Sequence, residues 1–430
     1  MSKICIQPTL LKGSVKIPPS KSIAHRAVIA ACLCSGSSYI ENIDLSDDIL
    51  ATIEGMSALG ATVGISENSL MIQGIQHENR KTELSQILID CKESGSTLRF
   101  LIPIALALGG QYQFIGRGNL GKRPLTPYYT IFKKQNISYH KTSDEMDLSV
   151  CGQLSADAFS VDGNISSQFI TGLLYALPLL ENDSAIMITS PLESKSYVDL
   201  TLQVLSDFGI TIVNHGYQRF EIKGNQCYQP CRYKIESDFS QAAFFLCAGA
   251  LGGDVTLKGL NINSLQGDRE IIELLKRMGA NITYPEKNVK AISGSLIGID
   301  IDASQIPDII PVLAATACLA KGKTIIRNAH RLRMKECDRL SATVKELSAL
   351  GANIREENDR MYIIGVDSLV GGCEVDSHVD HRIAMMLAVL AQRCSYPIII
   401  NDYECVSKSY PNFFKDYKDL GGIVYEQYMG

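Results

Sequence analysis

Six stretches of the chain share one pattern, a short polar start followed by a run that is apolar at nearly every position. They open at Ser20 (SKSIAHRAVIAACLCSG), Ser94 (SGSTLRFLIPIALALGG), Ser166 (SSQFITGLLYALPLLEN), Asp238 (DFSQAAFFLCAGALGG), Asp308 (DIIPVLAATACLAKG) and Asp380 (DHRIAMMLAVLAQ). Their starts recur at intervals of roughly 70 to 75 residues, long for a solenoid repeat. Runs that are hydrophobic nearly all round predict helices buried in a core, with their polar N-termini reaching the surface. A second series keeps the same beat: amphipathic segments end at Gly60, Gly209, Gly279, Gly351 and Gly421, and IFKKQNISY around Gln135 is a degenerate copy. Each predicts a helix closed by a glycine in the left-handed C′ position and followed by an alternating strand. A unit of about 72 residues thus holds two helices and about four short strands, and six such α+β units make two comparable lobes of three.

The rest of the composition narrows the class. At 430 residues, with 46% hydrophobic and 20% charged positions, the chain has the mixture of a folded globular protein and not of a disordered one. Lys plus Arg number 41 against 46 Asp plus Glu, so no overall charge points to nucleic acid or an acidic membrane, and any anion site must be local. The longest apolar runs, such as Ile309 to Ala320, reach about a dozen residues and contain proline, short of a membrane span. Thirteen scattered cysteines, without zinc-finger spacing or a charged start followed by a long apolar run, predict a reducing cytoplasm and no structural metal.

Chemistry gathers at the polar starts. A helix N-terminus carries four free backbone N–H groups and the positive end of the helix dipole, which favour an anion, although serine or aspartate there also serves as an ordinary cap. After Pro18-Pro19, the residues Lys21, Ser22 and Arg26 stand in the first turns of the first helix, Ser22 and Arg26 one turn apart on one face. Gly116-x-Gly-x-x-Gly121-Lys122 nearly matches a nucleotide P-loop. The hydroxyl residue expected after the lysine is Arg123, and Pro124 and Pro127 disturb the following helix, so kinase chemistry is not indicated. Arg331 to Leu340 packs four cations and two carboxylates into a segment that a surface helix with salt bridges would also explain. No nucleophile elbow and no papain-like cysteine is present.

Taken in order from about residue 8 to about residue 418, PPSKSIAHR, ESGSTLRF, GKRPLTP, SSQFITGLL, ESKSYVDLT, IPDIIPVLA, RMKECDRL, DHRIAM and SKSYPNFF are similar to the signature segments of the 5-enolpyruvylshikimate-3-phosphate synthase family. The resemblance implies a two-lobed inside-out α/β barrel with three βαβαββ-type repeats per lobe and the active site in the cleft between lobes. One lobe is expected to be discontinuous, residues 1–18 plus 236–430, and the other to be inserted, 19–235. It further implies transfer of the enolpyruvyl group of phosphoenolpyruvate to the 5-hydroxyl of shikimate 3-phosphate in aromatic amino-acid biosynthesis, with no metal or organic cofactor. The expected enzyme is a cytoplasmic monomer with small-molecule partners, binding neither nucleic acid nor membrane, and a target of glyphosate.

Carried over position by position, Lys21, Ser22, Arg26, Ser166, Ser167, Gln168, Ser194, Tyr197, Asp308 and Lys335 match the shikimate-phosphate contacts. Gly95, Arg123, Arg339, Arg382 and Lys408 match the phosphoenolpyruvate site, to which Lys21 and Gln168 also contribute. Asp308 as base and Glu336 as acid match the proton-transfer pair, with Lys21 a participant. Two phosphates and two carboxylates on the substrates account for so many cations and helix N-termini. The sequence departs from the family pattern at Glu93, where many members carry Asn, and at Phe100, where many carry Pro, both expected to flank the phosphoenolpyruvate pocket. Arg331 stands where some members use Asn, and that contact is not carried over. The sister transferase acting on UDP-N-acetylglucosamine is the alternative; it relies on a cysteine in a mobile loop, and GKRPLTP has none beside Arg123. A repeat scaffold that only binds partners is the other, and the unequal charges of the six copies speak against it.

Overall fold

The structure is a computed structural model that describes residues 2–75, 86–142 and 145–427. Its repeating unit is plainest between residues 87 and 152. Strand Ile87–Asp90 runs into helix Gly95–Leu108 and returns as strand Gly110–Gly116, pairing in parallel with the first. Helix Thr126–Lys134 follows, and the antiparallel strands Ser138–Lys141 and Met146–Gly152 complete a four-stranded sheet in which Met146–Gly152 lies beside Gly110–Gly116. Among the described residues the same strand order recurs in six four-stranded sheets, and a two-stranded pair, Leu369–Gly371 with Cys394–Tyr396, adds to them. Among the described residues these are separate sheets, and none closes into a barrel.

The chain divides into two compact units, Pro19–Glu236 and Met1–Pro18 with Ser237–Gly430. Each completes its sheets with a strand distant in sequence. In the first, Arg232–Lys234 pairs in parallel with Ser37–Glu41. In the second, Lys12–Lys16 plays that part beside Asp254–Lys258, and Lys3–Ile6 fits between Ile398–Asn401 and Val424–Gln427. A sheet that must recruit its edge from the far end of a segment ties the ends of the unit together at no cost in extra elements.

The apolar runs form Lys21–Cys32, Gly95–Leu108, Ser167–Ala176, Phe239–Ala250, Ile310–Ala317 and His381–Ala391, almost wholly buried in one core per unit. Five begin at the expected residue, with the side chains of Ser20, Ser94, Ser166, Asp238 and Asp380 accepting a hydrogen bond from a backbone N–H of the first turn. Asp308 is the exception: the fifth helix is capped by Ile309, and the aspartate is engaged elsewhere. The capping residues themselves are buried, at most 9% exposed; beyond them Lys21, Ser22, Ser96 and Gln168 are partly exposed, so those three N-termini reach the surface as expected, whereas the first turns after Asp238 and Asp380 are buried. The second series closes as the pattern predicts, with positive φ at Gly60, Gly209, Gly279, Gly351 and Gly421; Asn136, φ 56°, takes that place in the degenerate copy. Close packing sets the site's spacing at Gly172, where a Cβ would run into the Arg99 carbonyl; only glycine lets helices Gly95–Leu108 and Ser167–Ala176 approach this closely.

Candidate active site

In the unit Pro19–Glu236 the cations sit at helix starts. Arg26, 3% exposed, is held by the Ser22 carbonyl at 2.7 Å, Thr201 Oγ1 at 2.9 Å, the Tyr197 carbonyl at 2.9 Å and Thr171 Oγ1 at 3.4 Å. Every one of these acceptors is neutral. Burial lowers the Arg26 pKa from its ordinary value, as expected for a guanidinium without a carboxylate partner. The faces of Phe100 and Tyr197 lie 5.4 and 5.9 Å from its central carbon. Lys21, on the same helix, makes an ion pair of 2.7 Å with Asp48, a buried residue in the first turn of helix Asp47–Ala58.

A second group surrounds Gly95. Arg99 donates to Gln168 Oε1 at 2.6 Å and to the Pro124 carbonyl at 3.2 Å, and Gln168 donates to Ser96 Oγ at 2.9 Å. A Cβ on Gly95 would stand 2.7 Å from an Arg123 guanidinium nitrogen, 3.3 Å from Arg99 and 3.6 Å from Gln168 Oε1. The missing side chain is therefore what leaves room for two guanidinium groups and an amide at one helix N-terminus. Ser166 accepts from the Gln168 N–H at 3.3 Å, Ser167 is buried beside it, and Ser194, buried with φ 53°, opens the helix that carries Tyr197. The near-P-loop folds as the short 3₁₀ turn Gly118–Lys122 that delivers Arg123; the helix Thr126–Lys134 starts three residues later and accommodates Pro127 in its first turn, where a missing N–H costs nothing.

The unit containing residues 237–430 is built differently. Arg339, 1% exposed, reaches three carboxylates at once: Asp380 Oδ2 from Nε at 2.7 Å, Asp308 Oδ1 from Nη1 at 2.8 Å, and Glu336 Oε2 from Nη2 at 2.7 Å. Lys335 adds a second cation to Asp308 at 3.1 Å, and Lys408 stands 4.0 Å from Glu336. Burial lowers the Lys335 pKa in spite of Asp308, whereas the surrounding carboxylates hold that of Arg339 well above its ordinary value in spite of burial. Arg382 donates its backbone N–H to Asp380 Oδ1 at 2.8 Å and, from its guanidinium, a hydrogen bond to the Ser240 carbonyl at 3.1 Å.

Arg331 to Leu340 is not a surface helix: His330–Met334 is a 3₁₀ turn, Lys335 is extended, and the helix Arg339–Ala349 begins only after Asp338 caps it. Arg333 ties that turn down through Asp338, Glu356 and Ser341, while Lys335 and Arg339 reach Asp308 and Glu336 pairs with Arg339. Phe100 is buried under Arg26 and meets the His25 ring edge-on at 6.4 Å, whereas Glu93 packs against the backbone of Gly118. The two departures thus act on different groups.

Asp48, Thr171, Thr201 and Asp268 belong to these clusters and escaped the sequence reading. Thr201 lies four residues after Tyr197 on one helical face, a spacing that could have flagged it. Asp48 reads as an ordinary acid in a helix's first turn, and nothing local marks Thr171 or Asp268. Among the described residues no group of three or more His, Cys, Asp or Glu side chains is placed to hold a metal ion, and no helix is long and apolar enough to cross a membrane.

A family model for EPSP synthase (3-phosphoshikimate 1-carboxyvinyltransferase) matches residues 6–417. The 3-phosphoshikimate 1-carboxyvinyltransferase of Clostridioides difficile is 56% identical over 436 residues, covering 100% of both chains, and that of Clostridium perfringens is 54% identical over 428 residues, covering 99% of this chain and 100% of the other. The solved EPSP synthase of Acinetobacter baumannii superposes with a TM-score of 0.81 at 26% identity, covering 100% of both chains. Matched by the family model over residues 6–417 and by relatives over its whole length, the chain belongs to the EPSP synthase family.

Proposed function

We propose that the two clusters bind phosphoenolpyruvate and shikimate 3-phosphate and move the enolpyruvyl group to the 5-hydroxyl of the latter, releasing phosphate. The observation that carries this reading is Arg26. A buried guanidinium whose hydrogen bonds all end on neutral oxygens is a charge left uncompensated, at a cost of several kcal/mol that a bound phosphate would offset. Ser22, Ser166, Ser167, Ser194, Tyr197 and Lys335 are assigned with it to shikimate 3-phosphate. Gly95, Arg123, Gln168, Arg339, Arg382 and Lys408 are assigned to phosphoenolpyruvate, and Lys21 to both.

Asp308 is assigned as the base. It removes the proton of the 5-hydroxyl as that oxygen bonds to C2 of phosphoenolpyruvate, and Glu336 delivers a proton to C3. The tetrahedral adduct then returns the C3 proton as the C2–O bond to phosphate breaks and the double bond re-forms. Lys21 is assigned as a participant in the proton transfer, and Lys335 as a cation that holds shikimate 3-phosphate. The same reading has the enzyme acting as a cytoplasmic monomer without a cofactor, which sedimentation and turnover of the purified protein would check.

The test is phosphate release from purified protein given both substrates in EDTA, with each substrate alone as control and Asp308→Ala and Lys21→Ala alongside. Release that requires both substrates, survives EDTA and collapses in the variants is expected. Folded wild type that releases phosphate only with UDP-N-acetylglucosamine as acceptor would overturn it.

A further inference from the structure

Asp268 is 3% exposed and lies on the short turn Gly267–Glu270, whose neighbours Arg269 and Glu270 face solvent. One of its oxygens accepts from the Ser240 hydroxyl; the other, Oδ1, has no hydrogen-bond partner among the described residues. Ser240 in turn offers its carbonyl to Arg382, whose buried Nε is also without a hydrogen-bond partner. Gln266 fixes the turn to the same helix start, accepting from the Phe239 N–H at 2.9 Å and donating to the Ser237 carbonyl at 2.8 Å. A buried carboxyl with half its hydrogen-bonding capacity unused is costly, and here it is kept one residue away from an arginine in the same condition.

We propose that Asp268 is a positioning residue for Arg382, holding the guanidinium through Ser240 and setting by its own charge how strongly that arginine attracts an anionic substrate. The charged groups that face it are Asp238 from the cap of helix Phe239–Ala250, Asp308 from the segment before helix Ile310–Ala317, and Arg382 from helix His381–Ala391. Burial, then the charge of Asp308, raises its pKa to about 7, with the Ser240 hydrogen bond and Arg382 opposing. Below that pH the carboxyl is neutral and leaves the field of Arg382 to the ligand. Above it a second buried anion stands beside Asp308 and competes with the ligand for Arg382.

The inference rests on Arg382 serving phosphoenolpyruvate, so its test separates the two claims. KM for phosphoenolpyruvate and kcat are measured from pH 6 to 8.5 for wild type, Asp268→Asn, which stays neutral and keeps an acceptor for Ser240, and Ser240→Ala, which cuts the link and keeps the carboxyl. The wild-type KM is expected to rise above pH 7 at least threefold more than that of Asp268→Asn, with the two alike at pH 6 and kcat changed less than KM. Ser240→Ala should raise KM about threefold or more at every pH while retaining the wild-type slope, which keeps the inference testable should Asp268→Asn fail to fold. Superimposable pH profiles for wild type and Asp268→Asn, or a Ser240→Ala KM equal to wild type, would overturn it. A wild type that does not turn over the two substrates would overturn the functional reading instead.

Discussion

Arg26 and Arg339 are both buried arginines near the start of a helix, and their surroundings are opposite. Arg26 is wrapped in hydroxyls and backbone carbonyls, with two aromatic rings in cation–π range. Arg339 is wrapped in three carboxylates. The first arrangement leaves a positive charge for something else to neutralise, which suits a group that captures a dianion. In the second the guanidinium is already shared among Asp308, Glu336 and Asp380, which it holds together in one buried place. On the proposed reading Arg26 answers to a ligand and Arg339 first to the acids around it, and the difference predicts which kinetic parameter each variant moves.

The largest effects belong to the acid-rich cluster. Asp308→Asn removes the assigned base with little change of shape and is expected to lower kcat by roughly 10²–10⁴-fold with a smaller change in either KM. Arg339→Met leaves three carboxylates facing one another and should destabilise the protein by about 3–5 kcal/mol, read as a fall in the urea midpoint. A mutant Arg339→Met as stable as wild type would break the contrast, since it would mean the acids do not need their common cation.

Next comes a pH effect beside Arg26. His25 is buried with its Nδ1 2.7 Å from Thr52 Oγ1, and burial pushes its pKa from 6.5 down to about 3. The native ring stays neutral where the unfolded chain would protonate, so stability is complete above about pH 6.5 and falls by about 1.4 kcal/mol per pH unit as pH drops toward 3. Urea midpoints at pH 7 and pH 5 should therefore diverge in wild type by more than in His25→Gln. Equal divergence would show that the neutral surroundings of Arg26 do not extend to its neighbour.

Arg26→Lys keeps the charge and loses the fork that reaches Thr201 and Tyr197 together. The expected cost is about 2 kcal/mol, a 30-fold rise in KM for shikimate 3-phosphate with kcat nearly unchanged. Gly95→Ala follows, at about tenfold in KM for phosphoenolpyruvate, because the new methyl displaces the tip of Arg123 and not rigid backbone. If Gly95→Ala instead raised KM for shikimate 3-phosphate, the division of the first unit's cations between two ligands would have to be redrawn.

Much of this was legible from the repeats. Hydrophobic runs at a fixed interval gave both helix series, because burial on all sides and a left-handed glycine leave marks within a few residues. The closure of sheets by Lys3–Ile6, Lys12–Lys16 and Arg232–Lys234 was not visible in periodicity, since strands of three to five residues carry too little pattern to name a partner hundreds of positions away. Lys21, Arg26, Asp308 and Arg339 stood out by resemblance. Asp48 and Asp268 did not, because each is defined by what surrounds it in space: a lysine from another helix, and a serine, an arginine and an aspartate from three other elements. Asp308 itself looked like a helix cap, and two cations from a distant turn took it over.

Phe100 offers the smallest and most selective test. It is expected to flank the phosphoenolpyruvate pocket, and its ring lies 5.4 Å from the Arg26 guanidinium and 6.4 Å from His25, on the buried side of helix Gly95–Leu108. Replacing it by leucine keeps the helix and most of the volume and removes the aromatic face. A desolvated cation–π contact is worth about 0.5–2 kcal/mol, so Phe100→Leu should raise KM for shikimate 3-phosphate by roughly two- to 30-fold through a less firmly held Arg26. KM for phosphoenolpyruvate and inhibition by glyphosate should each stay within about twofold of wild type, a difference of roughly 0.4 kcal/mol. The reverse outcome, a change confined to phosphoenolpyruvate, would mean that the helix transmits Phe100 to Gly95 and Arg123 more strongly than the ring acts on the arginine it touches.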